Sequence, residues 1–243
     1  MPLISIDAIA PQCHLGLWRI EDTIDDIIAT DNRLAGVVDK IEHFHSESRR
    51  KEVLAVYGLL FAMTDNPCLR IEHDDLSRPV IDGYHVSISH TRGYAALLLS
   101  TRHKVAIDIE FISNRVERVA SKFIRNDEVA DSLYAKLIHW SAKETIYKLF
   151  ANENLDFFDM RIAPFDQREE GDIEVDDLKI EKKQSVHYLF NDKYVLTYAT
   201  IYKTLPGYLP SSGINSHSCG KPGYYTSNPY KSATFLPLVC QSR

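Results

Sequence analysis

Asp108 and Glu110 stand one residue apart in Val105-Ala106-Ile107-Asp108-Ile109-Glu110. The alternation reads as a strand. Val105, Ile107 and Ile109 then share one face, and Ala106, Asp108 and Glu110 share the other. Two like charges that close repel unless a cation lies between them. An all-oxygen ligand set suits a hard ion such as Mg²⁺, with Mn²⁺ as a substitute, held by one or two carboxylates together with substrate phosphates. A D-x-E pair alone also describes a solvated strand face.

A second acidic group lies in Trp140-Ser141-Ala142-Lys143-Glu144-Thr145-Ile146-Tyr147-Lys148. On a helix, Leu133, Leu137, Trp140 and Tyr147 form an apolar stripe, and Glu144 falls on that stripe. A carboxylate aimed at a core needs a partner. Lys148, one turn on, is the expected one; a plain Glu–Lys helix pair is the alternative. A third element is Ser87-Ile88-Ser89-His90-Thr91, at the end of a hairpin. Its hydroxyls, imidazole and turn amides can bind phosphate oxygens, or else cap the turn.

The elements that must carry these groups are legible in part. His85–Ser89 alternates, Thr91-Arg92-Gly93 supplies a turn, and Tyr94–Leu99 is an apolar return strand. A helix is expected from Ser46 as N-cap to the stop at Asp65-Asn66-Pro67, with Val53, Tyr57 and Leu60 on one face. Residues 1–20 read as strand and 21–45 as helical in tendency. Further helices are expected over about 116–123 and 127–150, and strands near 173–180, 186–190 and 194–199. Strands grouped with helices, without strict βαβ alternation, give an α+β fold.

Composition bounds the function. The chain has 243 residues with 44% hydrophobic and 26% charged, which supports a normal core. A net charge of -6 argues against bulk nucleic-acid binding. The N-terminus lacks a basic region and a long apolar run, so no signal peptide is expected. The longest apolar run, Tyr94–Leu99, is too short to span a bilayer. Cys13, Cys68, Cys219 and Cys240 lie far apart and read as reduced thiols of a cytoplasmic protein. Residues 205–243 hold five of the ten prolines, four of the ten glycines and no acidic residue. They read as an irregular or disordered tail, or else as short strands with tight turns.

The order S-x-S-H, then A-I-D-I-E, then W-S-x-K-E-x-x-x-K resembles the 4'-phosphopantetheinyl transferase superfamily, in its larger, surfactin-synthetase-activating type. The resemblance covers roughly Arg49 to Ala199. It implies two similar α/β halves packed as a pseudo-dimer, about 1–104 and 105–204, with the site in the cleft between them. It implies transfer of the phosphopantetheine arm of coenzyme A to a serine of an apo acyl or peptidyl carrier protein. Asp108, Glu110 and Glu144 match the family's magnesium-binding carboxylates, and Lys148 the lysine at the diphosphate. Ser89 and His90 match positions that touch coenzyme A phosphates. Ser77-Arg78-Pro79 resembles the family's G-K-P segment near the adenine. Arg49, Arg50 and Lys51 lie where the family carries basic residues for the ribose phosphate. Glu144 is the expected base, with Lys148 and His90 stabilising the leaving group. Lys143 and Trp140 match motif positions, Trp140 as a packing anchor, and Glu128 resembles a recurrent glutamate.

Two departures stand out. The family has Gly where this chain has Ala106, on the face of the carboxylates, and many relatives carry Arg near Tyr57. Arg115, Arg118 and Lys122 recur at i, i+3 and i+7, a basic helical stripe that suits an acidic partner or is simply a solvated face. The protein is expected to act as a monomer, without nucleic-acid or membrane partners. Two rival functions stay open at this point: a magnesium-dependent phosphohydrolase, and a non-catalytic module binding coenzyme A or carrier proteins.

Overall fold

A computed structural model describes residues 2–202. The predicted tail at 205–243, with Cys219 and Cys240, lies outside the described residues. In chain order the elements are β1 (Leu3–Ala10), β2 (Cys13–Arg19), α1 (Ile24–Ala29), α2 (Val38–Ile41), α3 (Glu47–Met63), β3 (Glu72–His73), β4 (Pro79–Val80), β5 (His85–Thr91), β6 (Tyr94–Ser100), β7 (His103–Phe111), α4 (Arg115–Val119), α5 (Leu133–Leu149), β8 (Met160–Ile162), β9 (Glu170–Asp177), β10 (Lys182–Phe190) and β11 (Tyr194–Tyr202). The fold is α+β, as expected. No helix among the described residues is long and apolar enough to cross a membrane.

Two antiparallel sheets carry the architecture. The first has the order β1-β2-β6-β5 and the second β7-β11-β10-β9-β8. Helix α3 covers the outer face of the first sheet, burying Leu54, Leu59 and Leu60 against Trp18, Leu97 and Leu99. Helix α5 covers the second, burying Ile138, Ala142 and Ile146 against Val175, Val186 and Val195. Between the sheets lie Leu15, Leu17, Ala96, Leu98, Val105, Ile107, Ile109 and Leu196. Strand β6 is apolar from Ala95 to Leu99 because it is buried on both faces, Leu97 and Leu99 toward α3 and Ala96 and Leu98 toward the second sheet. Gly93, at φ +79, makes the tight return between β5 and β6 that the turn motif predicts.

The edges of the two sheets meet through side chains. Ser87 Oγ, Ser89 Oγ and Thr91 Oγ1 of β5 accept the backbone N–H groups of Ile107, Ile109 and Phe111 of β7, at 3.0, 3.2 and 3.1 Å. Period-2 spacing puts all three hydroxyls on one side of β5. They satisfy β7 amides that would otherwise line an open edge.

Helix α3 begins where expected. Ser46 Oγ accepts from Arg49 N at 3.3 Å. Its far end is closed by Arg33, whose guanidinium donates to the carbonyls of Phe61 and Thr64. The expected single buried face is too narrow. Leu54 to Phe61 are all buried, because α1, α2 and the 3-10 segment Asn32–Val37 pack over the side that faces away from the sheet.

Two helix boundaries differ from expectation. Helix α5 starts at Leu133 rather than near Asp127, capped by Ser132 Oγ on Ala135 N at 2.9 Å. Residues before it are held otherwise, since the Glu128 carboxylate turns back to Arg125 N. The segment expected as one helix over 116–123 is α4 followed by a 3-10 turn, Ala120–Lys122, that delivers Phe123 into the core. Arg115, Arg118 and Lys122 remain exposed on it, but not as a continuous α-helical stripe.

Candidate active site

Strand β7 places Ala106, Asp108 and Glu110 on the face covered by α5, as alternation predicts. Asp108 is 4% exposed. Its Oδ1 accepts from Ser89 Oγ at 3.0 Å and from Lys148 Nζ at 2.7 Å, and its Oδ2 accepts from Ser141 Oγ at 2.9 Å. Ser141 continues into a buried hydroxyl chain through Thr197 and Thr145. Asp108 is thus gripped from β5 and from two turns of α5. Each charge-assisted bond costs more to lose than a neutral one.

Glu110, one pleat along, accepts from Trp140 Nε1 at 2.8 Å. Trp140 is the packing anchor the sequence suggests, with its ring 5.1 Å from both Phe123 and Phe157. It also orients a carboxylate, which the packing argument alone misses. Glu144 has no hydrogen-bond partner among the described residues. Burial, then the nearby Asp108 charge, pushes both Glu110 and Glu144 up to about 7.

Two expectations about α5 need correction. Tyr147 is 46% exposed and not part of a buried stripe. The line Trp140–Glu144–Tyr147 runs along the rim of the buried face, so Glu144 looks across the rim toward Asp108 instead of into the core. Lys148 does not pair with Glu144 by direct contact. Its ammonium is bonded to Asp108 and to the Ile107 carbonyl. Lys143, at the motif's other basic position, is far from this rim in its contacts. It is fully buried, donating to Glu128 Oε2 at 2.8 Å and to the carbonyls of Phe123 and Phe157. Glu128 also accepts from Arg125 N and Ile162 N. Lys143 and Glu128 therefore tie α5 to the loops around it.

Among the described residues no group of three or more His, Cys, Asp or Glu side chains is gathered closely enough to hold a metal ion. Asp108, Glu110 and Glu144 converge electrically without closing on a common point. The chemistry of the set nonetheless fits: three acids face one lysine, two are destabilised as anions, and Glu144 has no hydrogen-bond partner among the described residues. A divalent ion relieves that repulsion, and Lys148 holds Asp108 in its place.

The basic residues expected at phosphates fall in two places. On α3, Arg49 Nη1 lies 2.7 Å from His90 Nε2 and 3.1 Å from Glu52 Oε2. Lys51 pairs with Glu47 at 2.9 Å, and Arg50 has a buried Nε without an acceptor. Burial of the His90 nitrogens, helped by Arg49 and Lys148 and opposed by Glu52 and Asp108, holds its imidazole below the usual histidine range. The rim of the ring stays open, with 39% of the side chain exposed. His90 thus stands between the α3 cluster and the carboxylates. Arg78, beside Pro79 of β4, bonds Asp74 at 2.7 Å and Asn152 beyond α5 at 2.6 Å. Ser89 is buried and already shares its hydroxyl between Asp108 and Ile109 N, so it braces the site in this arrangement. Tyr57, where relatives carry Arg, is buried and accepts from Ile71 N and Lys40.

Sequence reasoning missed Ser141 and Glu52. Glu52 had a signal, its i+3 spacing from Arg49. Ser141 stood as a fixed position in W-S-x-K-E, but only the fold shows that it donates to Asp108. A cavity of about 600 Å³ opens beside the 3-10 turn, lined by Ser121, Ile124, Arg125, Asn126, Asp127 and Phe158.

Residues 104–199 match the family model of the 4'-phosphopantetheinyl transferase superfamily. That span carries Asp108, Glu110, Glu144 and Lys148; the Arg49–His90 cluster lies outside it. A search of curated proteins found no match to the chain.

Proposed function

We propose that the protein transfers the 4'-phosphopantetheine arm of coenzyme A to a serine hydroxyl of an apo carrier protein, as a magnesium-dependent enzyme of the larger, two-halved type. The reading is carried by one observation. Asp108, Glu110 and Glu144, on β7 and α5, face a single lysine, and the two glutamates are pushed up to about 7.

Asp108, Glu110 and Glu144 would hold a magnesium ion, which would supply positive charge toward the diphosphate of coenzyme A and the leaving oxygen. The chain's own residues do the rest. The carrier serine Oγ attacks the phosphorus next to the pantetheine arm, and the bond from that phosphorus to the oxygen of adenosine 3',5'-bisphosphate breaks. Glu144 accepts the serine proton, directly or through a water. Lys148, released from Asp108, and His90 hold the departing phosphate. Arg49, with Arg50 or Lys51, holds the phosphate on the ribose, and Arg78 with Pro79 borders the adenine. Ser89 touches the diphosphate only by giving up its bond to Asp108. Positioning and electrostatics are most of what such a transfer needs.

The carrier's acidic helix docks on Arg115, Arg118 and Lys122. All three are exposed, and their side chains form no ion pair among the described residues. In this reading residues 1–104 and 105–204 are the two halves, and the chain acts as a monomer in the cytoplasm. Incubation with coenzyme A, Mg²⁺ and an apo carrier tests the reading. The carrier gains the mass of one phosphopantetheine if it holds. Release of inorganic phosphate with no gain in carrier mass assigns the same acids to a phosphohydrolase instead.

A further inference from the structure

Arg49, Glu52 and His90 form a closed ring of side chains. Arg49 and Glu52 are one turn apart on α3 and meet at 3.1 Å. His90 comes from β5, with Nδ1 at 3.5 Å from Glu52 and Nε2 at 2.7 Å from Arg49. Ser48 Oγ donates to the other Glu52 oxygen at 3.3 Å. An i,i+3 Arg–Glu pair on a helix surface contributes a few tenths of a kcal/mol and needs no imidazole from a sheet. Glu52 is only 18% exposed, an acid set among cations where a phosphate would be drawn.

The tautomer follows from the partners. A guanidinium has no acceptor, so Nε2 facing Arg49 carries the lone pair and Nδ1 carries the hydrogen toward Glu52. In that state the ring cannot donate to an oxyanion. A phosphate that draws Arg49 to itself meets a bare nitrogen lone pair. The ring donates on both sides only as imidazolium, and Glu52 is the group placed to stabilise that cation.

We propose that Glu52 is a positioning residue that fixes the His90 ring and stabilises its charged form, so that a phosphate dianion binds beside Arg49 together with one proton taken from solvent by Nε2. The charged groups facing His90 are Arg49 and Glu52 from α3, Asp108 from β7 and Lys148 from α5. Two cations and two anions balance in the free protein. A dianion arriving at Nε2 tips the balance toward the imidazolium. Glu52 therefore helps an anion bind despite its own charge, because the proton it retains lies nearer the phosphate than the carboxylate does.

The identity of the anion rests on the transferase reading; the proton coupling does not. Adenosine 3',5'-bisphosphate is titrated calorimetrically into the full chain, without divalent metal, at pH 7.5 in two buffers of different ionisation heat. The ligand's phosphates are then mostly dianions, since their second pKa is about 6. Wild type takes up between about half and one proton. Glu52→Gln and His90→Asn take up none, Glu52→Gln binds about 10-fold more weakly, and Glu52→Asp recovers part of both. Melting temperatures check that the variants fold. Equal uptake in Glu52→Gln and wild type, or no uptake or no binding by wild type, overturns the proposal. Uptake that depends on Glu52, with no mass gain on an apo carrier, would sink the transferase reading and leave this role standing. Carrier modification without such uptake does the reverse.

Discussion

Glu144 is where residue chemistry is most exposed to test. Its carboxyl lies at the rim of α5, unbonded, and is pushed up from 4.5 to about 7 by burial and by Asp108. The folded chain therefore binds this proton more tightly than the unfolded one. Stability from it is present at low pH and is lost as pH rises from about 4.5 to about 7. In chelator, the melting temperature of wild type should fall across that window, and Glu144→Gln should flatten much of the fall. Glu110 contributes in the same direction. At pH 8, Mg²⁺ should raise the wild-type melting temperature, since a ligand bound only by the folded state stabilises it. A melting curve indifferent to Mg²⁺ at pH 8 would remove the metal from the reading. The same Glu144→Gln variant should lose at least ~100-fold in transfer rate, the usual scale for removing a general base. Near-full activity would contradict its assignment.

At the scale of elements, two ties hold the site in shape. The first is the hydroxyl ladder between β5 and β7. Ser87→Ala and Ser89→Ala each orphan one β7 amide, a loss that should cost about 1 kcal/mol by denaturant unfolding. Only Ser89 also bonds Asp108. Ser87→Ala loses only the ladder bond, whereas Ser89→Ala also removes a donor to buried Asp108, so Ser89→Ala should lose more stability and alone weaken Mg²⁺ binding. The second tie is Lys143–Glu128, with both side chains fully buried. Burial lowers the Lys143 pKa, and Glu128 opposes that shift. Lys143→Met leaves a buried carboxylate without its cation and should cost roughly 3–5 kcal/mol. A loss under 1 kcal/mol would mean that water reaches Glu128.

Across the whole molecule, charge is uneven. A chain of net charge -6 keeps Arg115, Arg118 and Lys122 exposed beside the Ile124–Phe158 cavity. Glu117 is exposed among them, but the three cations outnumber it, and an excess of one sign steers an opposite partner and weakens with salt. The double variant Arg118→Glu, Lys122→Glu should raise the KM for the carrier about 10-fold at low salt and leave the KM for coenzyme A unchanged. An unchanged carrier KM would return these residues to the solvated face.

The sequence alone determined what depends on local geometry. Period-2 alternation settled which side chains of β7 share a face. Gly93 settled the β5–β6 return, and Ser46 settled the start of α3. Residue type and spacing singled out Asp108, Glu110, Glu144 and Lys148 as candidates, and the chemistry proposed for them rests on that choice. What the tertiary structure alone decided is pairing across the chain. Lys148 went to Asp108 because β7 lies nearer its ammonium than Glu144 does, a fact that helical spacing cannot contain. Lys143 became a buried tie because loops distant in sequence close over it. Glu52 met His90 because α3 and β5 lie against each other. Hydrogen bonds and charges act over a few ångströms in space, and residues 14 to 40 apart in sequence reach that range only when burial of the three cores brings their elements together.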